Sequence, residues 1–397
     1  MGNLGSSPFS RARPQSSPFR DLAKVGTFFL VVLSAFLLWV TRLPRVDKAR
    51  SRPLGKAASG PSLPEMYVGA QACRECHPGE YAAHSVSGHN RTLRPAGSGL
   101  LGRLLAGQHV SDPEEPDVEW TYELRDGRLF VTRSEGGNSG PLIPVDFAVG
   151  SGQHATTFVS LLRAGEPGKR LGVEHRLTYF AHSKSLTLTP GQHKFSKSGQ
   201  SRYGYVLTPE LIQDCINCHS TRTSARDPKV LDVETMIPNV SCERCHGPGR
   251  SHVEKARTGT PAEGLGVLLG PGGDALSEVR ACGNCHRLPH QFSPSEIRSG
   301  NAVIARFPSV GLMQSKCYNA SQGALRCTTC HDPHARVSHD QINYQDVCLS
   351  CHRAAPQATC SVSPGSGCID CHMPKRKVGR GLEFSDHWIR VPAAGPH

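Results

Sequence analysis

The chain has 397 residues and a formal charge of +12, with only 6% aromatic residues beside 41 Gly and 30 Pro. So few large apolar rings among so many turn formers exclude an ordinary globular protein whose interior is filled by its own side chains. The basic balance invites a nucleic-acid partner, but no helix-turn-helix pattern, RNP-like aromatic strand or Lys/Arg stripe is present, so no nucleic acid is expected.

In chain order, residues 1–24 are rich in Ser, Pro and Arg and are expected to be a disordered cytoplasmic N-terminus. Residues 25–41 read as a transmembrane anchor or a signal peptide. The uncharged run Val25 to Val40 is just short of the ~17–25 residues of a spanning helix and just over the ~7–15 of a signal-peptide core. The following TRLPRVDKAR lacks a small-x-small cleavage pattern, which favours the uncleaved anchor. Basic residues flank both sides of the run, so charge alone leaves its orientation open. Residues 42–65 are a Pro/Gly/Lys-rich linker, and the folded part is expected over 66–397. Within it, about 117–208 reads as a β-rich insert: VEWTYELRDGRLFVT places alternating β-formers on either side of Asp126-Gly127, a hairpin signal. From 210 to 375 the pattern is one of short helical or irregular stretches.

Those stretches are punctuated by C-x-x-C-H. The chain carries CRECH (Cys73, Cys76, His77), CINCH (Cys215, Cys218, His219), CERCH (Cys242, Cys245, His246) and CGNCH (Cys282, Cys285, His286). CTTCH (Cys327, Cys330, His331), CLSCH (Cys348, Cys351, His352) and CIDCH (Cys368, Cys371, His372) bring the total to seven. Random placement of these residue types would give about 0.03 copies. Two thiols on one helical turn can add to the two vinyl groups of a haem, and the next residue then offers its imidazole to the iron. Zinc sites also use C-x-x-C pairs, but zinc does not require a His directly after every second Cys. Seven covalent haems c are therefore expected. Their propionates, about fourteen carboxylates, would offset much of the positive charge. Haem attachment outside the cytoplasm places the body of the chain on the periplasmic side of an inner membrane, with a single-pass anchor.

With six motifs between Cys215 and His372, so little chain per haem cannot build its own interior. The fold expected is a multihaem cytochrome c: mainly short α-helices and irregular chain wrapped on a haem core, with the β-rich insert and an N-terminal transmembrane helix. Each iron also has a sixth position. His89 follows His77 by one short helix's length; His252 and His334 follow Gly/Pro turns that would aim them at a neighbouring haem. His387 near the C-terminus and His154 in the insert complete the candidate ligands, with His193 weaker. His84, His109, His175, His182, His290, His339 and His397 are read as surface or packing residues. Cys317 and Cys360 remain outside the motifs, either as a disulfide or as two free thiols.

The stretches CRECHPGEYAAHSVSGH, CERCHGPGRSH, CTTCHDPH and CIDCHMPK with DHWIR resemble the multihaem cytochrome c family related to cytochrome c-554, the tetrahaem electron carrier of ammonia oxidisers. The resemblance spans about 66–390. It implies distal-ligand roles for His89, in the S-x-H pattern, and for His252, after the CHGPG turn. This chain departs from the family in having His84 where Trp is usual, and in its seven motifs rather than four.

The function implied is a membrane-anchored periplasmic heptahaem cytochrome carrying electrons between redox protein partners of a respiratory chain, with no catalytic residue of its own. The alternative is a multihaem oxidoreductase acting on a small nitrogen or sulfur compound at one open haem, with that small molecule as substrate. The C-x-x-C-K motif of pentahaem nitrite reductases is absent, and the octahaem hydroxylamine-oxidising type would need one more motif.

Overall fold

A computed structural model describes residues 66–163, 169–192, 200–224, 230–261, 273–353, 360–363, 365–379 and 382–391. The chain divides into two units, Met1–Pro61 and Ser62–His397, and the described residues belong to the second. The anchor expectation at 25–41, its flanking segments, His193 and His397 lie outside the described residues. Among the described residues no helix is long and apolar enough to cross a membrane.

Helices α1 (Ala70–Cys73) and α2 (Pro78–Ser85) open the fold, followed by β1 (Leu93–Pro95) and α3 (Gly99–Leu105). Eleven strands then run nearly without interruption. They are β2 (His109–Ser111), β3 (Val118–Arg125), β4 (Arg128–Glu135), β5 (Asn138–Ser139), β6 (Ile143–Val145) and β7 (Phe147–Val149). The run continues with β8 (Ala155–Arg163), β9 (Arg170–Phe180), β10 (Ser185–Leu188), β11 (Gln200–Ser201) and β12 (Gly204–Leu207). The β3–β4 hairpin turns at Asp126-Gly127, with Arg125 paired to Arg128 and both turn residues at positive φ, 49° and 73°. That two-residue turn matches the twist of the flanking strands, and glycine makes its second position unstrained.

The strands form two antiparallel sheets, β2-β3-β4-β5 with β6 on β4, and β1-β7-β8-β9-β12-β11 with β10 on β9. Trp120, Tyr122, Leu129 and Val131 of the first sheet pack with Ala148, Phe158, Leu177 and Leu188 of the second, so the two inner faces share one core. A charged network is buried at its edge. Arg176, 1% exposed, donates to both oxygens of Asp112, which also accepts from the Trp120 indole at 3.1 Å. Burial pushes the Asp112 carboxyl up, but its hydrogen bonds from Arg176, the Glu114 backbone and Trp120 win and hold it below the usual range.

The chain then changes character. Helix α4 (Pro209–His219) starts on a Thr208 cap that accepts from the Leu211 N–H, with Pro209 in its first turn. It buries Ile212 and Ile216 on the outer face of the larger sheet, beside Leu93, Phe147, Val159 and Leu207. Gly172 makes this contact close, since a Cβ there would lie 3.0 Å from Ile212. After β13 (Ser220–Arg222) and β14 (Ile237–Pro238) come α5 (Cys242–His246), α6 (Arg250–Arg257), α7 (Ala275–His286), α8 (Pro308–Gln314) and α9 (Lys316–Ala320). Then follow α10 (Cys327–Cys330), α11 (Gln341–His352), α12 (Cys368–His372) and a hairpin of β15 (Lys375–Lys377) and β16 (Glu383–Ser385). Both clusters of buried apolar side chains lie in or against the sheets, and the described chain beyond Met236 contributes to neither. Among its described residues the motif-rich half has no comparable side-chain core, as its composition leads one to expect.

Candidate cofactor sites

Helices α4, α7 and α11 each end on the His of a motif, and Asp274 and Asp340 cap the last two by accepting from Ser277 and Ile342 N–H. The paired thiols thus lie one turn apart on one helix face, with the imidazole leaving at the helix end.

Among the described residues, four of these imidazoles are seen to face a second one from elsewhere in the chain. His77 faces His252 with ring centroids 6.2 Å apart, and His246 faces His334 at 6.0 Å with the planes 1° from parallel. His286 faces His89 at 6.2 Å, and His331 faces His387 at 6.2 Å. A metal held between two imidazole nitrogens by bonds of ~2.0 Å, with about 1.1 Å from nitrogen to ring centre, sets the centroids about 6 Å apart. The residues therefore fit a six-coordinate iron. In each pair the second imidazole belongs to a different motif's neighbourhood: His252 follows the third motif but faces the first, and His334 follows the fifth but faces the third.

Hydrogen bonds aim several of these rings. The Asp332 carboxylate accepts from His334 Nδ1 at 3.1 Å, the Ser385 carbonyl from His387 Nδ1 at 3.0 Å, and the Arg390 carbonyl from His372 Nδ1 at 3.0 Å. Occupying Nδ1–H this way leaves the Nε2 lone pair as the ligand atom. Burial pushes His219, His331 and His387 below the usual histidine value. His286 is exposed as a residue, yet loss of hydration and then the His89 neighbour bring it down to about 4. Neutral imidazole is the form that binds metal.

The motifs also touch one another. The thiols of Cys73 and Cys242, of Cys218 and Cys285, and of Cys282 and Cys327 are close enough that each pair shifts its own proton affinities. Thr328 of the fifth motif gives its N–H and hydroxyl to Glu278 of the fourth motif's helix, both at 2.8 Å. Tyr344, on the sixth motif's helix, lies edge-on to His331 of the fifth at 5.5 Å, and Gln341 of that helix donates to Asp370 of the seventh. Arg244, inside the third motif, reaches Asn217 of the second at 3.3 Å and Cys285 of the fourth at 3.9 Å. The motifs form a contiguous series, 1–3–4–5–6–7, with the second beside the third and fourth.

The remaining sequence candidates fall as follows. His154 is exposed, with its ring 6.0 Å from Phe384, so it is not among the four facing pairs. His219 keeps a buried Nδ1 without a hydrogen-bond partner, while its carbonyl accepts from Thr92. His175, 1% exposed, is bonded to Ser160 inside the larger sheet, a packing role. His84 is half-buried beside His89, His246 and His334, a more central place than a surface reading gives it. Cys317 and Cys360 are separate thiols in the structure. Sequence reasoning passed over Glu243, Arg244, Thr328 and Asp370; the signal was a polar or charged residue inside a C-x-x-C, where haem attachment itself asks for none.

This is the donor set of a protein that carries covalently attached c-type haem. A family model for cytochrome c554 and c-prime matches residues 176–247. The dissimilatory sulfite reductase MccA of Wolinella succinogenes is 23% identical over 382 residues, which cover 78% of this chain and 51% of that protein. The chain thus spans about half the length of the curated relative it matches. The crystal structure of outer cell wall cytochrome OcwA superposes with a TM-score of 0.45 at 13% identity, covering 82% of this chain and 80% of that one. The family model and the sulfite reductase resemblance both support a multihaem cytochrome c family for this chain.

Proposed function

We propose that the chain is a heptahaem electron carrier on the periplasmic side of the inner membrane, held there by the segment Val25 to Val40. The observation that carries this reading is the set of four facing imidazole pairs, each joining a motif histidine to a histidine beyond its own motif. His77 with His252, His246 with His334, His286 with His89, and His331 with His387 would hold haem iron on both faces. An iron so closed exchanges electrons without binding substrate. His219, His352 and His372 would be the attached-side ligands of three further haems, and each motif's two cysteines the thioether attachments. His154 is retained as a candidate distal ligand in that second group. The bonded series of motifs supports a continuous path for electrons between a donor and an acceptor protein.

A second reading is favoured by one finding, the resemblance to a protein named as a sulfite reductase. In that reading the iron of His219 or of His372 keeps an open face and reduces a small sulfur or nitrogen compound. Anaerobic reoxidation of the fully reduced holoprotein separates the two. The carrier reading expects slow, non-catalytic reoxidation by excess sulfite, nitrite or hydroxylamine, with rapid exchange with redox proteins. Multiple turnovers with any of the three small molecules would replace it with the enzyme reading.

A further inference from the structure

The two variable residues of the third motif are Glu243 and Arg244. Glu243 is 4% exposed, unusual for a carboxylate on a five-residue helix. Its oxygens accept three backbone N–H groups: Oε1 from Val68 at 2.9 Å and Gly249 at 2.8 Å, Oε2 from Gly69 at 2.9 Å. Gly69 caps α1, which leads into Cys73, Cys76 and His77. Gly249 caps α6, which carries His252. One side chain on the third motif's helix therefore grips both segments whose imidazoles face each other at 6.2 Å. The Cys73–Cys242 contact and the bond from Arg250 N–H to the Met66 carbonyl at 3.1 Å close the same junction. Gly249 makes room for it, since a Cβ there would lie 3.2 Å from Oε1 and 3.0 Å from Val68.

We infer that Glu243 is the positioning residue of the first haem site: it sets the separation of His77 and His252 and couples that site to the third motif. The inference rests on the axial pairing proposed above. Three charge-assisted bonds from backbone groups are short and directional, so they fix segments rather than merely attract them. The carboxylate also places a negative charge beside the first site, which favours ferric over ferrous iron. Arg244, on the same helix, makes its contacts with the second and fourth motifs instead, so it serves as an internal control.

The test uses full-length holoprotein of E243A, E243Q, R244Q and H252A, with haem counted on each sample and electron paramagnetic resonance and potentiometric titration recorded. H252A is the benchmark and should convert one haem per chain to high spin. E243A should produce that same species at one haem per chain, and E243A/H252A should add nothing to H252A alone. E243Q keeps one acceptor oxygen, so it should convert a smaller fraction. One haem's potential should rise in both Glu243 variants, while R244Q leaves that haem unchanged. A fully low-spin E243A with unshifted potentials would overturn the inference, as would loss of haem from several sites in both Glu243 variants. If H252A itself stays low-spin, the axial pairing falls, and the inference falls with it for that distinct reason.

Discussion

Substituting Asp112 with Asn removes the negative member of the network that locks the two sheets together. Arg176 is 1% exposed and directs Nε and Nη2 at the Asp112 carboxylate. Taking one charge from a buried pair costs about 3–5 kcal/mol, because the other charge is left without its partner in a poorly hydrated place. Here the loss is moderated. Glu114 and Glu115 lie 3.5 and 3.4 Å from the same guanidinium, and the Gln192 carbonyl accepts from Nη1 at 3.0 Å. The Asn oxygen can still accept from the Trp120 indole. These residual partners place the expected loss near the lower limit, about 3 kcal/mol. Native-state hydrogen exchange reads it directly: amides of Val118–Arg125 and Arg170–Phe180 should exchange about 100-fold faster in D112N at neutral pH, since each 1.4 kcal/mol is a factor of about ten. Exchange within threefold of wild type would refute the assignment of this pair as the sheet-locking contact.

Burial pushes His175 down to about 4 from an ordinary value near 6.5. Its folded value is depressed, so its contribution is complete above about pH 6.5 and is lost as pH falls toward 4, reaching about 2 kcal/mol at pH 5. Exchange measured from pH 7 to 5 should show this slope in wild type and a flatter one in H175Q; equal slopes would contradict it. His334→Ala should open the iron held by His246, so one haem per chain should turn high-spin and bind cyanide, visible in the Soret band. An unchanged spectrum would mean that the facing of His246 and His334 is not ligation. Protein produced without haem attachment should retain protected amides only in the sheets between His109 and Leu207, where the apolar clusters lie. Native-like near-UV dichroism from the stretch Cys215 to His372 in that material would contradict a haem-filled interior.

Local signals were readable from the chain because local chemistry dictates them. Asp126-Gly127 announces its turn through the need for two positive φ angles. The motifs announce themselves because thioether attachment and axial ligation fix the spacing of Cys, Cys and His. The Gly/Pro turns before His252 and His334 suggested that each would reach towards a neighbouring site; their rings lie 6.2 Å from His77 and 6.0 Å from His246, between centroids. Which neighbour each reaches is a tertiary property: His387 and His331 stand 56 positions apart in sequence yet 6.2 Å apart in space. Glu243 was equally opaque. A charged residue in a short helix is ordinarily a solvated one, and only the convergence of Val68, Gly69 and Gly249 N–H groups gives it a task. His84 reads as a surface residue because nothing local marks the histidines that the fold gathers round it.

The central claim is that seven haems are held and that their irons are closed on both faces. Electron paramagnetic resonance of the oxidised holoprotein, with haem quantified on the same sample, tests it most directly. The carrier account predicts seven haems per chain, all low-spin. A stoichiometric high-spin signal in the unmodified protein would contradict it, and would direct attention to the irons of His219 and His372 as sites of substrate reduction.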